Sequence, residues 1–406
     1  MHPTISRIVI IGAGQAGAWA AHTLRQQGYQ GRLSVISAEE QVFYERPPLS
    51  KQVLAGTMAP AALQLFSDEA ITAMDIDWHK PVLATAINPQ QRQVSLANGV
   101  TLAYDKLLIA TGSRARVPVR DWLGLPHVFT LRTVEDAIRL RERLQPGKRL
   151  AILGGGWIGL EVAATARTNG VAVSLFEQAS RLCARSVRPE LSAFLMKLHQ
   201  EQGVDVQLAC GAIDLVVTDG GAVRLLREGQ LLQEVDAVVV GAGAEIASEL
   251  GRDAGLAVNN GLLVDEFGRT SHPDIYAAGD VAVHPTLGMC VQSWANAQNQ
   301  AISVAKSMLG EPCEYREALW IWSDQYDCNI QILGTPANHA SRLVERYYGE
   351  HQRSFIYLDA EGRLESMVTV NDARLMKLGK RWLKGGTLLP AGQLADITVN
   401  LMTLKP

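Results

Sequence analysis

A strand running straight into a glycine-rich turn and then a helix is written twice in this chain. Residues 7–21 read RIVIIGAGQAGAWAA, and residues 149–163 read RLAILGGGWIGLEVA. Each carries the spacing glycine-x-glycine-x-x-glycine: Gly12, Gly14 and Gly17, then Gly154, Gly156 and Gly159. The residues before each turn form a continuous apolar run, as in a parallel strand buried on both faces. The first glycine permits the tight turn, the second lets a pyrophosphate approach the backbone, and the third lets helix and strand pack closely. The helix N-terminus adds unpaired N–H groups and the positive end of its dipole. One such match in a long chain is weak evidence, because a glycine turn without a ligand looks the same. Two matches, each followed by a helical run and a second apolar strand (GRLSVIS and VAVSLFE), predict two Rossmann-like doubly wound α/β domains in series.

An acidic residue at the end of the second strand would hold the ribose hydroxyls of a dinucleotide. In the second unit this is Glu177, which closes VSLFE. A carboxylate there repels a 2′-phosphate and favours NAD over NADP. Arg181 and Arg185 follow closely and weaken that reading unless they belong to a solvated loop. In the first unit the candidate is Glu39, a little past the strand end, with Ala38 where an acid is expected.

The 406 residues exceed one ordinary core and allow two or three domains. A net charge of −3 leaves no global bias toward nucleic acid or an anionic membrane. No run of about eighteen apolar residues is present, so no membrane span is expected. Strand structure begins near Arg7, so no signal peptide is expected. The five cysteines (Cys183, Cys210, Cys290, Cys313 and Cys328) are scattered, and none forms a C-x-x-C pair. That argues against a disulfide framework, a metal site or an iron–sulfur cluster, and fits a cytoplasmic protein with reduced thiols.

Between the two units lies YDKLLIATGSR, residues 104–114, an apolar strand ending in a small-residue turn. DAVVVGAGAE, residues 236–245, is its counterpart after the second unit. TSHPDIYAAGD, residues 270–280, delivers Gly279 and Asp280 to a strand's C-terminal end, where open α/β sheets bind ligands. Asp280 is a candidate for a sugar-alcohol hydroxyl; a turn cap is the plainer alternative. From about Asp324 the pattern changes to strand-like segments such as RSFIYLD and ESMVTVN, which predict a separate α+β domain. The expected division is 1–113 with 246–322, then 114–245, then 323–406. ARLMKLGKRWLKGG, residues 373–386, carries Arg374, Lys377, Lys380, Arg381 and Lys384 with no acid. Helical spacing puts most of these cations on one stripe and Leu375, Leu378 and Trp382 on another. It predicts an amphipathic helix whose basic face either steers an acidic partner or is simply solvated.

The set of IGAGQAG, ATGS, GGGWIGLE and TSHPDIYAAGD resembles the two-dinucleotide flavoprotein superfamily of glutathione-reductase-like fold. More specific segments narrow the likeness: YERPPLSK (44–51), LRTVEDA (131–137), SWANAQNQA (293–301) and WIWSDQYDCNIQILG (320–334). Together they resemble the NADH-dependent ferredoxin reductases that serve aromatic-ring-hydroxylating dioxygenases and some P450 systems, and the resemblance implies an anthranilate- or phenylpropionate-type dioxygenase reductase. The resemblance implies FAD in the first unit and NAD in the second. It implies FAD contacts from Gly12, Gly14, Gln15, Ala16, Gly17, Glu39, Arg46, Lys51, Ala84, Thr111, Arg132, Asp280, Val291 and Trp294. It implies NAD contacts from Gly154, Gly156, Ile158, Gly159, Glu161 and Glu177. Lys51 would pair with Glu161 near the flavin, and Trp322 would lie against the flavin ring. The implied acceptor is a small [2Fe–2S] ferredoxin that feeds a terminal oxygenase.

Residue chemistry supports part of this directly. The RPP…K segment is rigid and cationic, suited to a diphosphate neighbour, with an exposed turn as the alternative. Trp320 and Trp322 should share one strand face, where ordinary core packing is the alternative. Three departures from the family pattern stand out: Ile246–Ala247 stand where a proline–asparagine pair is usual, Gln292 replaces an acid, and Leu319 replaces a proline. No cysteine precedes Cys183, so the thiol relay of disulfide- and peroxide-reducing relatives is missing. Two other readings stay open at this level: an NADH oxidase or peroxidase, and a flavoprotein that binds NADH as a signal.

Overall fold

The computed structural model describes residues 5–335 and 341–403. The chain forms two compact units: Met1–Glu45 with Ala61–Arg114 and Glu245–Glu317, and Arg46–Pro60 with Ala115–Ala244 and Ala318–Pro406.

The first unit is built on a five-stranded parallel sheet ordered Ile275–Ala277, Lys106–Ile109, Arg7–Ile11, Arg32–Ile36, Ile76–His79. Successive residues of the central strand face opposite ways. Ile8 and Ile10 join one core with the helix Gln15–Gln26, and Val9 and Ile11 join another. That two-sided burial is why IVII carries no polar alternation. The helix presents Ala16, Ala18, Ala20 and Ala21, and the helix Trp294–Met308 answers with Ala297, Ala301 and Ala305. Small residues on both let the helices pack closely. An antiparallel sheet, Ala84–Asn88, Gln93–Leu96 and Thr101–Ala103, completes the unit.

The second unit repeats the plan. Its parallel sheet is ordered Asp205–Gln207, Ala172–Phe176, Arg149–Leu153, Ala237–Val240, Val128–Phe129. The helix Trp157–Thr168 follows the glycine turn. The same unit holds a five-stranded antiparallel sheet ordered Trp320–Gln325, Cys328–Gly334, Leu364–Val370, Gln352–Leu358, Arg342–Gly349. The helix Ala373–Gly385 packs Leu375, Met376, Leu378 and Trp382 onto that sheet's core. Asp372 caps it by accepting from Leu375 N at 3.0 Å.

The second unit holds both the expected 114–245 region and the expected C-terminal region, and two segments fall across the expected boundaries. Arg46–Pro60 belongs with the second unit, because Ser50 and Lys51 bond to Glu161, the Ser50 carbonyl accepts from Thr165, and Arg46 bonds to Arg132. The strand Trp320–Gln325 falls wholly within the C-terminal sheet, ahead of the expected start at 323.

Candidate functional site

The two glycine turns are near copies. Gly12 has φ +114° and Gly154 has φ +118°, a region that side-chain-bearing residues avoid. A Cβ on Gly12 would lie 2.2 Å from the Ala110 carbonyl oxygen, and one on Gly154 would lie 2.3 Å from that of Gly241. Gly17 and Gly159 touch the turn itself: a Cβ there would come 1.9 Å from Gly12 O and 2.1 Å from Gly154 O. Gly14 and Gly156 are different, since a Cβ at either meets nothing within 4 Å. They are also the N-caps of their helices, and no side chain caps either one. Among the described residues, the buried side-chain atoms Gln15 Oε1 and Trp157 Nε1, each on the first residue of its helix, have no hydrogen-bond partner. Open space and uncapped backbone amides recur at both turns, and these fit a dinucleotide pyrophosphate at each. Ile158, on the first turn of its helix, is 45% exposed.

The acidic partners are held in different ways. Glu177 follows its strand directly and accepts from Gly155 N at 2.6 Å and Ala179 N at 2.7 Å. Glu39 lies three residues beyond its strand, at a bend where its own N–H bonds to Ser37 Oγ and its carboxylate accepts from Tyr44. Arg181 is engaged locally, donating to Val187 O and Ala184 O of its own loop and to Ser192 Oγ on the helix that follows. Arg185 is exposed.

Elsewhere in the first unit, Asp280 accepts from Ser113 Oγ at 2.7 Å, and Gly279 N donates to the buried Gln300 Oε1 at 2.9 Å. Thr111 Oγ1 donates to Ala247 O at 2.6 Å, and Ala247 N bonds to Gly112 O. The segment that departs from the proline–asparagine pattern is thus pinned through its main chain. Val291 is buried and its carbonyl accepts from Asn296, two residues after Trp294 at the helix start. Ala84 opens the first strand of the small antiparallel sheet. Gln292 is exposed.

In the second unit, Arg46 donates to Arg132 O at 2.6 Å, just before the capping box of Thr133 and Asp136. Lys51 and Glu161 form an ion pair at 3.0 Å, with side chains only 12% and 5% exposed. Glu161 also accepts from Ser50 at 2.5 Å and from Ser323 at 2.6 Å. A buried charge pair is stable only where the remaining hydrogen-bonding capacity is met, and these hydroxyls meet it. Trp322 stacks on Trp320, with ring centroids 5.1 Å apart and planes at 23°. Lys380 lies over the Trp320 ring at 3.9 Å. On the helix Ala373–Gly385, Arg374, Lys377, Lys380, Arg381 and Lys384 are all exposed.

Sequence reasoning missed Ser50, Ser323, Gln325 and His199, which surround Glu161 or lie behind it. Their one sequence signal is the polar pair Ser323 and Gln325 at strand spacing inside WIWSDQY. All five cysteines are free. Burial raises the Cys183 thiol to about 12, which leaves it unreactive. No helix among the described residues is long and apolar enough to cross a membrane.

Residues 6–301 match the family model of the pyridine nucleotide-disulphide oxidoreductases, and residues 320–405 match the reductase C-terminal model. The chain is 38% identical over 404 residues to the ferredoxin--NAD(+) reductase component of a p-cumate 2,3-dioxygenase system from Pseudomonas putida, covering 99% of both chains. Its fold is similar to putidaredoxin reductase in a covalent complex with putidaredoxin, at TM-score 0.92, 32% identity and coverage of 99% and 98%. It is also similar to the ferredoxin reductase for the CYP199A2 system of Rhodopseudomonas palustris, at TM-score 0.89, 33% identity and coverage of 98% and 99%. With both nucleotide turns, the C-terminal sheet and these relatives spanning its length, the chain belongs to the pyridine nucleotide-disulphide oxidoreductase family, among its ferredoxin--NAD(+) reductases.

Proposed function

We propose that the protein carries electrons from NADH, through a bound FAD, to a [2Fe–2S] ferredoxin that feeds a terminal ring-hydroxylating oxygenase. The observation that carries this reading is the pair of open, uncapped glycine turns, accompanied by a buried Lys51–Glu161 ion pair. FAD supplies a two-electron acceptor for hydride and a one-electron donor toward a metal cluster.

The chain's own residues bind, orient and fix charge. The amides after Gly14 and Gly156 would each hold a pyrophosphate, with Glu39 and Glu177 toward the riboses. Asp280 and Thr111 would serve the flavin side of FAD, with Ala84, Val291 and Trp294 as its further neighbours. Arg46 and Arg132 would supply cations for its phosphates. Glu161, anionic and fully bonded, keeps the Lys51 ammonium in one place, and Trp322 offers a flat indole to the flavin ring. No side chain is asked to act as a nucleophile. The acid-free basic face of the helix Ala373–Gly385 would meet the ferredoxin. Five free thiols accord with the cytoplasm as its compartment.

The test is an anaerobic stopped-flow trace of the purified yellow protein mixed with NADH, with and without an oxidised [2Fe–2S] ferredoxin. Fast flavin bleaching followed by one-electron reduction of the ferredoxin supports the reading. Fast bleaching without transfer to any ferredoxin sinks it in favour of an oxidase or a signalling flavoprotein.

A further inference from the structure

The hydrogen bonds that reach Glu161 do not stop at Ser323. Gln325 Nε2 donates to Ser323 Oγ at 3.0 Å, Gln325 Oε1 meets His199 Nε2 at 2.8 Å, and Tyr326 OH meets His199 Nδ1 at 3.2 Å. His199 sits on the helix Pro189–Glu201, and His199, Gln325 and Ser323 are each 2% exposed or less.

Donor and acceptor capacity, together with the charge on Glu161, sets the direction of the bonds. A carboxylate only accepts. Glu161 Oε1 therefore takes the single hydroxyl hydrogen of Ser323, whose lone pairs are left to accept an amide hydrogen from Gln325. That turns the Gln325 oxygen toward His199, so Nε2 carries the ring hydrogen and Nδ1 accepts from Tyr326. The reverse arrangement is self-consistent too. With the hydrogen on Nδ1, Nε2 would accept from the Gln325 amide, and the Gln325 oxygen would draw the Ser323 hydroxyl away from Glu161. The charge on Glu161, paired to Lys51, selects the first arrangement over the second.

We propose that Ser323, Gln325 and His199 are positioning residues for the Lys51–Glu161 pair: a one-way chain of donors that locks the Glu161 carboxylate, and with it the Lys51 ammonium. The chain rests on the functional reading above in one respect, that hydride transfer to the flavin depends on this pair. It is not a proton path. An amide passes a proton only through its imidic acid form, so Gln325 interrupts any relay between His199 and Glu161. What travels along the chain is orientation, and in a water-free interior each bond in such a series strengthens the next.

Two measurements on the FAD-loaded full chain test this. In nitrogen-15 spectra of histidine-labelled protein without NADH, His199 shows a protonated Nε2 and a bare Nδ1. Glu161→Gln, whose amide can donate as well as accept, loses that preference and shows both tautomers. In anaerobic stopped flow with NADH, Ser323→Ala slows flavin bleaching about tenfold, and Ser323→Thr, which keeps the hydroxyl, restores it. In the Glu161→Gln background Ser323→Ala has no further effect, because its route to the chemistry is already cut. A His199 hydrogen on Nδ1 in the wild type overturns the proposal. So does Ser323→Ala slowing both backgrounds equally. A wild-type flavin that NADH fails to bleach overturns the functional reading instead. The two failures are told apart because the tautomer is read without NADH.

Discussion

Ser323 and Glu161 stand 162 residues apart in the chain and 2.6 Å apart in the folded protein. That bond joins the first strand of the C-terminal sheet to the helix that follows the second glycine turn. With Lys51 and Ser50 it leaves the Glu161 carboxylate surrounded by donors. Glu161→Gln removes the charge while keeping the shape, and it strands the Lys51 ammonium in a site with little water. We expect stability to fall by about 3 kcal/mol. We expect flavin reduction by NADH to slow by about tenfold to a hundredfold, with FAD content unchanged. Denaturant melts, stopped flow and the ratio of flavin to protein absorbance check the three parts. An unchanged reduction rate would remove Glu161 from the chemistry.

His199 gives the protein an acid-side weakness. Burial pulls its imidazole down from 6.5 to about 4, against a smaller opposing effect of its bond to Gln325. The unfolded chain takes up this proton near pH 6.5 and the folded chain only near pH 4. Between those values the unfolded state binds more protons, so stability falls as pH drops from about 6.5 toward 4, and the loss levels off below. The gap corresponds to about 3 kcal/mol. Denaturant unfolding at stepped pH should show this loss in the wild type. A His199→Asn variant, though less stable at pH 7, should show a correspondingly shallower slope in that window. Parallel slopes would mean His199 does not carry the effect.

Glu177 is predicted to set the choice of nicotinamide cofactor. Its carboxylate is fixed by two backbone amides at the strand end, while the Arg181 guanidinium is taken up by its own loop. A 2′-phosphate brought to this site meets a fixed negative charge without compensation from Arg181. Glu177→Ala should raise the NADPH-to-NADH ratio of kcat/KM by about tenfold to a hundredfold. Steady-state kinetics with both nucleotides measures it, and an unmoved ratio would place the ribose acid elsewhere.

How much of this was legible beforehand differs by element. The two strand–turn–helix units were readable because their glycines answer local demands: Gly12 and Gly154 need positive φ, and Gly17 and Gly159 need to touch the turn. The helix Ala373–Gly385 was readable because its cations and apolar residues alternate at helical spacing. The surroundings of Glu161 were not. Its partners lie 111 and 162 residues away, and no local rule joins them. In the strand Trp320–Gln325, tryptophans occupy one face and Ser323 and Gln325 the other. Hydropathy alone favours burying the tryptophans. Ser323 and Gln325 are the fully buried ones because Glu161 and His199 offer them partners. The grouping of Arg46–Pro60 with the second unit was hidden for the same reason.

The basic helix should govern encounter with the acceptor. Its five cations are exposed and have no acid among them, whereas the chain as a whole is negative. Reversing two of them, Lys377→Glu with Arg381→Glu, should raise the KM for an acidic ferredoxin by about tenfold at low salt and flatten its dependence on ionic strength. Reduction of ferricyanide by NADH, which needs no docking surface, should be unchanged. Equal KM values and equal salt slopes in wild type and variant would leave the face merely solvated.

Two glycines of one turn should fail in different ways. At Gly14 the backbone is ordinary, with φ −78°, and a Cβ would meet no protein atom within 4 Å. At Gly12 the backbone is left-handed and a Cβ would strike the Ala110 carbonyl oxygen at 2.2 Å. Gly12→Ala therefore cannot keep this turn, and we expect low soluble yield and a lowered melting temperature with or without added FAD. Gly14→Ala fills only the space in front of the uncapped helix. It should fold much as the wild type does once FAD is stripped from both, the stiffer unfolded chain offsetting the loss of a better N-cap residue. With FAD present it should retain the cofactor at least tenfold more weakly, because the added methyl group stands where the backbone must approach a phosphate. Comparing melting curves of the two stripped proteins, then titrating each with FAD, separates the outcomes. A Gly14→Ala protein that binds FAD as tightly as the wild type would mean that this opening does not receive the pyrophosphate.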